Sequence, residues 1–170
     1  QGVTELYMSL FNHITDGVTS NHSTNNVMLF KELFDAFLRS IRTVQEAELT
    51  DPSLHKHPFS SKNLDDGILN IFLRKTIQNF NRPKLALTMT KRFLTEVKVR
   101  RFNADKVVYV FSKHPDTSGR SNEELVTILN FFKVDLSFEL IVTSIFKSFN
   151  RGHVATAKNW YGILKQKDFP

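Results

Sequence analysis

Apolar residues in the first half of the chain recur at the spacing of amphipathic helices. A short stripe from Leu6 to Ile14 predicts a first helix, and a polar loop follows it. The longest stripe predicts the strongest helix of the chain, and its members are Phe30, Leu33, Phe34, Phe37, Leu38, Ile41 and Val44. A third stripe, from Leu64 to Phe80, predicts a helix that begins after Asn63 and ends before Pro83.

The second half changes period and favours strands. The stretch "FLTEVKVRR", residues 93–101, alternates in the manner of a strand with one buried face. "VVYVF" at 107–111 and "FELIVTSIF" at 138–146 are nearly continuous apolar runs, which are typical of strands buried on both faces. Between these two runs, the segment from Ser121 to Glu124 reads as a capping box that starts a helix.

The order strand, capped helix, strand predicts a parallel βαβ unit. We therefore expect residues 1–170 to form a single α/β domain with a helical first half and a strand-helix-strand second half. Its three layers would hold a small, mainly parallel sheet flanked by helices, with residues 93–101 as an antiparallel edge strand. No internal repeat is evident. The predicted core comprises Phe34, Phe37, Phe72, Val108, Val110, Leu140 and Val142.

A resemblance to a known family rests on the same pattern. The segment "ADKVVYVFSKHPDTSGRSNEELVTILNFFKVDLSFELIVTSIF" resembles the later half of a von Willebrand factor A domain, a Rossmann-like α/β fold. The preceding "SSKNLDDGILNIFL" is similar to the helix before the corresponding strand of that family. The opening Asp-x-Ser-x-Ser metal motif of the family is absent. The resemblance therefore implies a binding role without metal-dependent adhesion.

The amino-acid composition excludes several kinds of site and several classes of protein. The chain has no Cys, which excludes disulfides, thiolate zinc sites and cysteine nucleophiles and favours an intracellular compartment. Sixteen Phe against three Tyr and one Trp indicate rings used mainly for a core. No apolar run reaches the roughly 18 residues of a membrane span. Because the sequence begins with Gln-Gly and not Met, we expect a fragment of a longer protein; the oligomeric state is not predicted.

The net charge of +6 is concentrated in two regions. Nine Lys and Arg against two acids lie between Arg82 and Lys113, and five against one lie between Lys147 and Pro170. Such regions fit an acidic protein partner or nucleic acid. His114 is a further candidate for binding because it follows a predicted strand, at the edge of the sheet where α/β folds bind ligands. The predicted binding residues are Arg82, Lys91, Arg92, Lys98, Arg100, Arg101, His114, Arg151, Lys158 and Trp160.

A catalytic alternative begins from Glu96 and Lys98. A carboxylate followed by Glu-x-Lys on a strand is the pattern of a metal-dependent nuclease, with Asp66 as the upstream acid. The competing interpretation is a solvated strand face, which we favour because one carboxylate beside a lysine does not complete a metal site. We predict no metal and no cofactor, since no phosphate-binding or dinucleotide glycine pattern is present.

These observations favour a non-catalytic, protein-binding or scaffolding module with a basic surface. Nucleic-acid binding is the alternative, and a metal-dependent nuclease comes third.

Overall fold

The computed structural model describes residues 24–112 and 120–167, together with the single residue Ser9. Within this part of the chain there are seven α-helices and one 3-10 helix. They are α1 (Thr24–Glu48), the 3-10 helix (Pro52–Lys56), α2 (Gly67–Gln78), α3 (Pro83–Glu96), α4 (Ala104–Ser112), α5 (Arg120–Phe131), α6 (Phe138–Asn150) and α7 (Val154–Gln166). No described residue belongs to a sheet strand, and one isolated bridge joins Asp65 and Arg101. No described helix has the length and apolar character needed to cross a lipid bilayer.

The chain divides into two compact units, residues 1–102 and 103–170. In the first unit, α2 and α3 pack as a hairpin, and α1 packs on α3 and on the 3-10 helix. Its core is a cluster of phenylalanines around Phe72, whose ring centroid lies 5.0 Å from that of Phe30 and 5.1 Å from that of Phe34. Phe80 and Phe37 extend the cluster on either side. Each fully buried ring stabilises this unit by about 1.5–3 kcal/mol.

The second unit consists of two helical hairpins, α4 with α5 and α6 with α7, and α5 also packs on α7. Buried positions of the first hairpin have buried counterparts 34 residues later, in the second hairpin. Val107 in α4 and Ile141 in α6 are both fully buried, as are Leu129 in α5 and, nearly so, Ile163 in α7. Hairpins that stack on one another in this way bury a continuous core.

The starting points of the last six α-helices are regularly spaced. In each of the three hairpins the second helix begins 16 residues after the first, at positions 67 and 83, 104 and 120, and 138 and 154. Successive hairpins follow at 37 and 34 residues, within the range of helical-hairpin repeats, about 33–47 residues. A comparison of residue types does not reveal this spacing, because the corresponding positions share burial and not residue type. The expectation of no internal repeat concerned residue types along the sequence, and it stays a prediction.

The predicted α/β domain with a parallel sheet is wrong. Residues 107–111 lie in α4 and residues 138–146 lie in α6. A short apolar run fits a buried helix as well as a buried strand, and length alone did not separate the two. The consequence is visible in burial, since Val110 is buried whereas Val108, Leu140 and Val142 are half-buried on the sides of their helices.

The segment "FLTEVKVRR" is not a strand. Helix α3 continues to Glu96, and the backbone is extended at Val97, which follows it. Phe93 and Val97 are both buried and lie four positions apart, one helical turn, although the alternation suggested a period of two. Beyond the helix, the Lys98 backbone pairs with the Gln45 side chain, whose amide nitrogen donates to the Lys98 carbonyl over 2.8 Å.

The resemblance to von Willebrand factor A and Rossmann-like domains is wrong for the same reason, because those folds require a parallel sheet. The helical predictions fare better. The stripe from Phe30 to Val44 lies in α1, the stripe from Leu64 includes α2, and Phe34, Phe37 and Phe72 are buried as expected. The predicted helix at 6–14 lies outside the described residues, except for Ser9, which is helical.

Candidate interaction surface

Helix α6 has its large aromatic residues on the outside. Phe138, Phe146 and Phe149 are 53%, 63% and 65% exposed. The residues of α6 that are buried against its neighbours are Ile141, Ser144 and Ser148. An ordinary surface helix places its bulky apolar side chains inward and its small polar ones outward. Helix α6 reverses that arrangement.

The exposed rings form one continuous surface. At 100° per residue, Phe138 and Phe149 lie within about 20° of each other around the helix axis, with Phe146 beside them. Val142 and Ile145 fill the same side and are half-buried. We call these five residues the aromatic face. It covers three helical turns, and contiguous apolar patches of this kind mark contact sites.

Local sequence features fix both ends of α6. Ser137 is the N-cap residue, and its hydroxyl accepts a hydrogen bond from the Leu140 amide over 3.1 Å. At the other end Gly152 has a φ of 77°, a left-handed conformation that favours glycine. The chain then reverses, and the His153 amide donates to the Ser148 carbonyl over 2.8 Å. This tight turn joins α6 to α7 and holds the aromatic face on a rigid hairpin.

The cations of α6 lie away from the rings. Lys147 is nine residues after Phe138, which places it on the opposite side of the helix. Lys147 and Arg151 instead line a small cavity with Trp160 of α7. Rings and cations are therefore segregated on this helix. Nothing in the composition indicated that separation, because it depends on the helical phase of each residue.

In the first unit, two arginines and two acidic residues form a cluster of ion pairs. Arg42 and Arg92 both donate to the carboxylate of Glu96, one to each oxygen, and Arg92 also pairs with Asp35. The Arg92 guanidinium lies 5.8 Å from the centroid of the Phe34 ring. The hydrogen bonds to Glu96 and then to Asp35 raise the pKa of Arg92 above its ordinary value. This cluster ties α1 to α3.

Glu48 lies at the centre of a second polar cluster in the first unit, and only 6% of its surface is exposed. Its carboxylate accepts hydrogen bonds from the Ser60 hydroxyl and from the amide and hydroxyl of Ser61, and His55 Nδ1 lies 2.8 Å from it. The bonds from Ser60 and His55 lower the pKa of Glu48 to about 2. This network pins the loop after α1 to the end of that helix.

The three residues of the nuclease hypothesis have different surroundings. Glu96 lies between two guanidinium groups. Asp66 is the buried N-cap residue of α2, and Lys98 is exposed. Among the described residues, no three His, Asp or Glu side chains converge as metal ligands would. The geometry gives Glu96 a structural role in joining two helices.

The predicted binding residues differ in their exposure. Those that are exposed are Arg82, Lys91, Lys98, Arg100, Arg101, Arg151 and Lys158. Arg92 is half-buried within the ion-pair cluster, and Trp160 is buried in the core of the second unit. His114 lies outside the described residues. Their role in binding stays a prediction.

Sequence reasoning missed the aromatic face. The rings of "FELIVTSIF" appeared to belong to a buried strand, so their exposure was not considered. A signal was nevertheless present, since Ser144 and Ser148 share one helical side with Ile141, whereas all three phenylalanines fall on another. Placing residues 138–150 on a helical wheel would have revealed the reversed arrangement.

The part of the chain that the structure describes is a helical protein built largely from hairpins. No protein-family model matches the chain, and no solved structure matches it. Among curated proteins, it is similar to the mitochondrial translation factor ATP22 of Vanderwaltozyma polyspora, with 24% identity over 171 residues. The match covers 98% of this chain and 22% of the relative. The chain thus spans about a fifth of the length of the curated relative that it matches.

Proposed function

We propose that this chain is a non-catalytic interaction module of a longer protein that acts in mitochondrial translation, and that it binds a protein partner through the aromatic face. The observation that carries the proposal is the reversed arrangement of α6, which exposes Phe138, Phe146 and Phe149 and buries two serines. Exposing three rings on one helix costs solvation free energy in the free protein. Contact with an apolar surface recovers that cost, at about 25 cal/mol per Å² removed from water.

The chemistry of the face favours protein over nucleic acid. Single-stranded nucleic acid is held by aromatic rings interleaved with cations. On α6 the nearest basic residue, Lys147, points away from the rings, as its helical phase shows. Phenylalanine also lacks the polar group with which Tyr or Trp reads a base edge. The expected partner is therefore an apolar groove or helix, which rings at positions i, i+8 and i+11 can enter over three turns.

The architecture and the relative support the same function. Arrays of helical hairpins present extended surfaces that are used for binding. The similarity to a mitochondrial translation factor covers nearly this whole chain, although identity is low. A binding module inside a longer factor accounts for both facts. Translation is proposed from that similarity alone, whereas the binding role also rests on α6.

Site-specific photo-crosslinking tests the proposal. A benzophenone amino acid placed at position 146 or 149 of the full-length protein, in its native cells, is expected to form an adduct with a second polypeptide. Position 124 is the matched control, since Glu124 is exposed on α5 and lies outside the aromatic face. Mass spectrometry identifies the adduct, and ribonuclease treatment shows whether it contains RNA.

A polypeptide adduct at 146 and 149 that is absent at 124 supports protein binding. An adduct that ribonuclease destroys would replace this proposal by RNA binding. No adduct above the yield at position 124 would remove the aromatic face as a docking surface.

A further inference from the structure

A groove runs between α5 and α7 in the second unit, and its volume is about 430 Å³. No residue of α6 lines it, so it is separate from the aromatic face. The buried side chains of Val126 and Ile163 form its floor. Pockets that hold small ligands measure about 300–1,000 Å³. The groove is therefore large enough to receive a ring-sized group of a ligand.

An exposed ring lies at one edge of this groove. Phe131, the last residue of α5, lines the groove and is 75% exposed, more than any ring of the aromatic face. The ring of Phe132 lies beside it in a T-shaped contact, with 5.0 Å between the centroids and 82° between the planes. A ring that is supported in this way and open to solvent is a platform on which a flat ligand can stack.

Gly162 leaves room for an occupant on the opposite wall. It lies inside α7, where glycine destabilises a helix relative to alanine. Packing does not require a glycine here, because a Cβ atom added at Gly162 would meet no neighbouring atom within 4 Å. The backbone does not require one either, since the positive φ belongs to Gly152 and not to Gly162. The groove explains the missing side chain, because a larger residue would fill it.

The polar groups of the groove are three amides and one cation. Asn130, Asn159 and Gln166 line it together with the exposed Lys158, and no carboxylate does so. Asn130 and Gln166 are exposed and Asn159 is half-buried, so a ligand in the groove can reach their amides. Each amide group carries two N–H donors and one acceptor oxygen. Such groups match the edges of nucleobases, which present donors and acceptors side by side.

We propose that the groove binds single-stranded RNA and receives one of its bases. The base stacks on Phe131, the amides bind its edge, and Lys158 contacts a neighbouring phosphate. A ring and a cation line the same groove here, which is the combination that α6 lacks. Protein–protein interfaces are depleted in lysine, so a polypeptide fits this groove less well. The site goes beyond the aromatic face, and only the choice of RNA over DNA rests on the proposed function in translation.

Fluorescence anisotropy measures the binding. The 170-residue chain is titrated into a fluorescein-labelled RNA decamer of random sequence and into the corresponding DNA decamer. Gly162→Leu is the most informative variant, because its side chain occupies the groove and leucine is a better helix former than glycine. Its affinity for RNA should fall by about tenfold or more, which corresponds to the loss of one stacked base. Its melting temperature should equal or exceed that of the wild type.

Two further variants each remove one contact. Phe131→Ala should weaken RNA binding by about tenfold, because a base loses its stacking platform. Tyr161→Ala is the matched control, since Tyr161 is 51% exposed on α7 and does not line the groove. Lys158→Gln should lower the salt dependence of binding by about one phosphate contact. Lys106→Gln, an exposed position on α4 outside the groove, should leave that dependence unchanged.

The variants separate this site from the aromatic face. Weaker RNA binding by folded Gly162→Leu and Phe131→Ala, with Tyr161→Ala as tight as the wild type, supports the site. If the wild-type chain does not bind RNA, or if Gly162→Leu binds it as tightly as the wild type, the groove is not an RNA site. DNA bound as tightly as RNA would overturn the assignment to RNA. If Gly162→Leu instead removes the polypeptide adducts at positions 146 and 149, the groove belongs to the protein-binding surface. Those adducts report the proposed function independently, so either proposal can fail alone.

Discussion

Helices α1 and α6 both carry phenylalanines at helical spacing, and they use them in opposite ways. In α1, Phe30, Phe34 and Phe37 are buried. In α6, Phe146 and Phe149 are more than half exposed. Periodicity therefore predicts that a segment is helical, but it does not tell whether the chain itself supplies the surface that covers the apolar side.

The difference lies in the neighbours. The rings of α1 meet rings from other segments, such as Phe59, whose centroid lies 5.6 Å from that of Phe37. Helix α6 packs inward through serines, which bring it close to its neighbours and leave its rings on the opposite side. The burial shows that α1 stabilises the fold, whereas α6 serves binding in our proposal, and four substitutions test that division.

The largest effect is expected from Phe37→Ala. The ring is buried between Phe59 and Phe72, and its removal leaves a cavity in a packed core. The free energy of unfolding should fall by about 3–5 kcal/mol, measured by urea denaturation. If the unfolding curve of Phe37→Ala equals that of the wild type, α1 does not pack as described.

A smaller, pH-dependent effect is expected from Glu48→Gln. Since hydrogen bonds lower the pKa of Glu48 from 4.5 to about 2, the unfolded chain binds more protons than the folded one between these values. The stabilisation is complete above pH 4.5 and disappears as the pH falls toward 2. The variant should melt below the wild type at pH 7, and the gap should close on acidification.

The control for that pH dependence is Glu46→Gln, since Glu46 is an exposed acid on the same helix. This variant should follow the wild-type profile. A gap between Glu48→Gln and the wild type that stays constant from pH 7 to pH 2 would contradict the hydrogen-bond network around Glu48.

Arg92→Met tests the ion-pair cluster that joins α1 to α3. Methionine keeps much of the apolar stem and removes the bonds to Glu96 and Asp35. Because these side chains are partly exposed, we expect a loss of about 0.5–1 kcal/mol that shrinks at high salt. Lys91→Met is the matched control one position away. If the two variants lose the same free energy of unfolding, the cluster does not stabilise the fold.

The smallest effect on stability is expected from Phe146→Ala. The ring is 63% exposed, and alanine is the better helix former. The free energy of unfolding should stay within about 0.5 kcal/mol of the wild-type value. A loss as large as that of Phe37→Ala would show that the aromatic face is part of the core, and the contrast between the two helices would disappear.

The sequence predicted the helical first half because long stripes such as Phe30 to Val44 leave no other interpretation. It failed where apolar runs were short. "VVYVF" has apolar residues on every side, so no period is visible, and Val108 and Val110 appeared to belong to a strand. The capping box began at Ser121, and helix α5 does lie there, although it starts at Arg120.

The candidate surface was less predictable than the fold. Charge counting selected Arg92 as a binding residue, although Arg92 pairs with acids that are distant in sequence, such as Asp35. Trp160 looked like a recognition residue and is buried. The exposure of Phe149 depends on the partner helices of α6, which no local pattern specifies.

The most direct test of the central claim is the affinity of the Phe146→Ser/Phe149→Ser double variant for the polypeptide that crosslinks at these positions. Two well-buried rings at an interface account for at least about 2 kcal/mol each at a binding hot spot. We expect a loss of affinity of about 1,000-fold, with the melting temperature of the variant within a few degrees of the wild-type value. Unchanged affinity in a folded variant would contradict it.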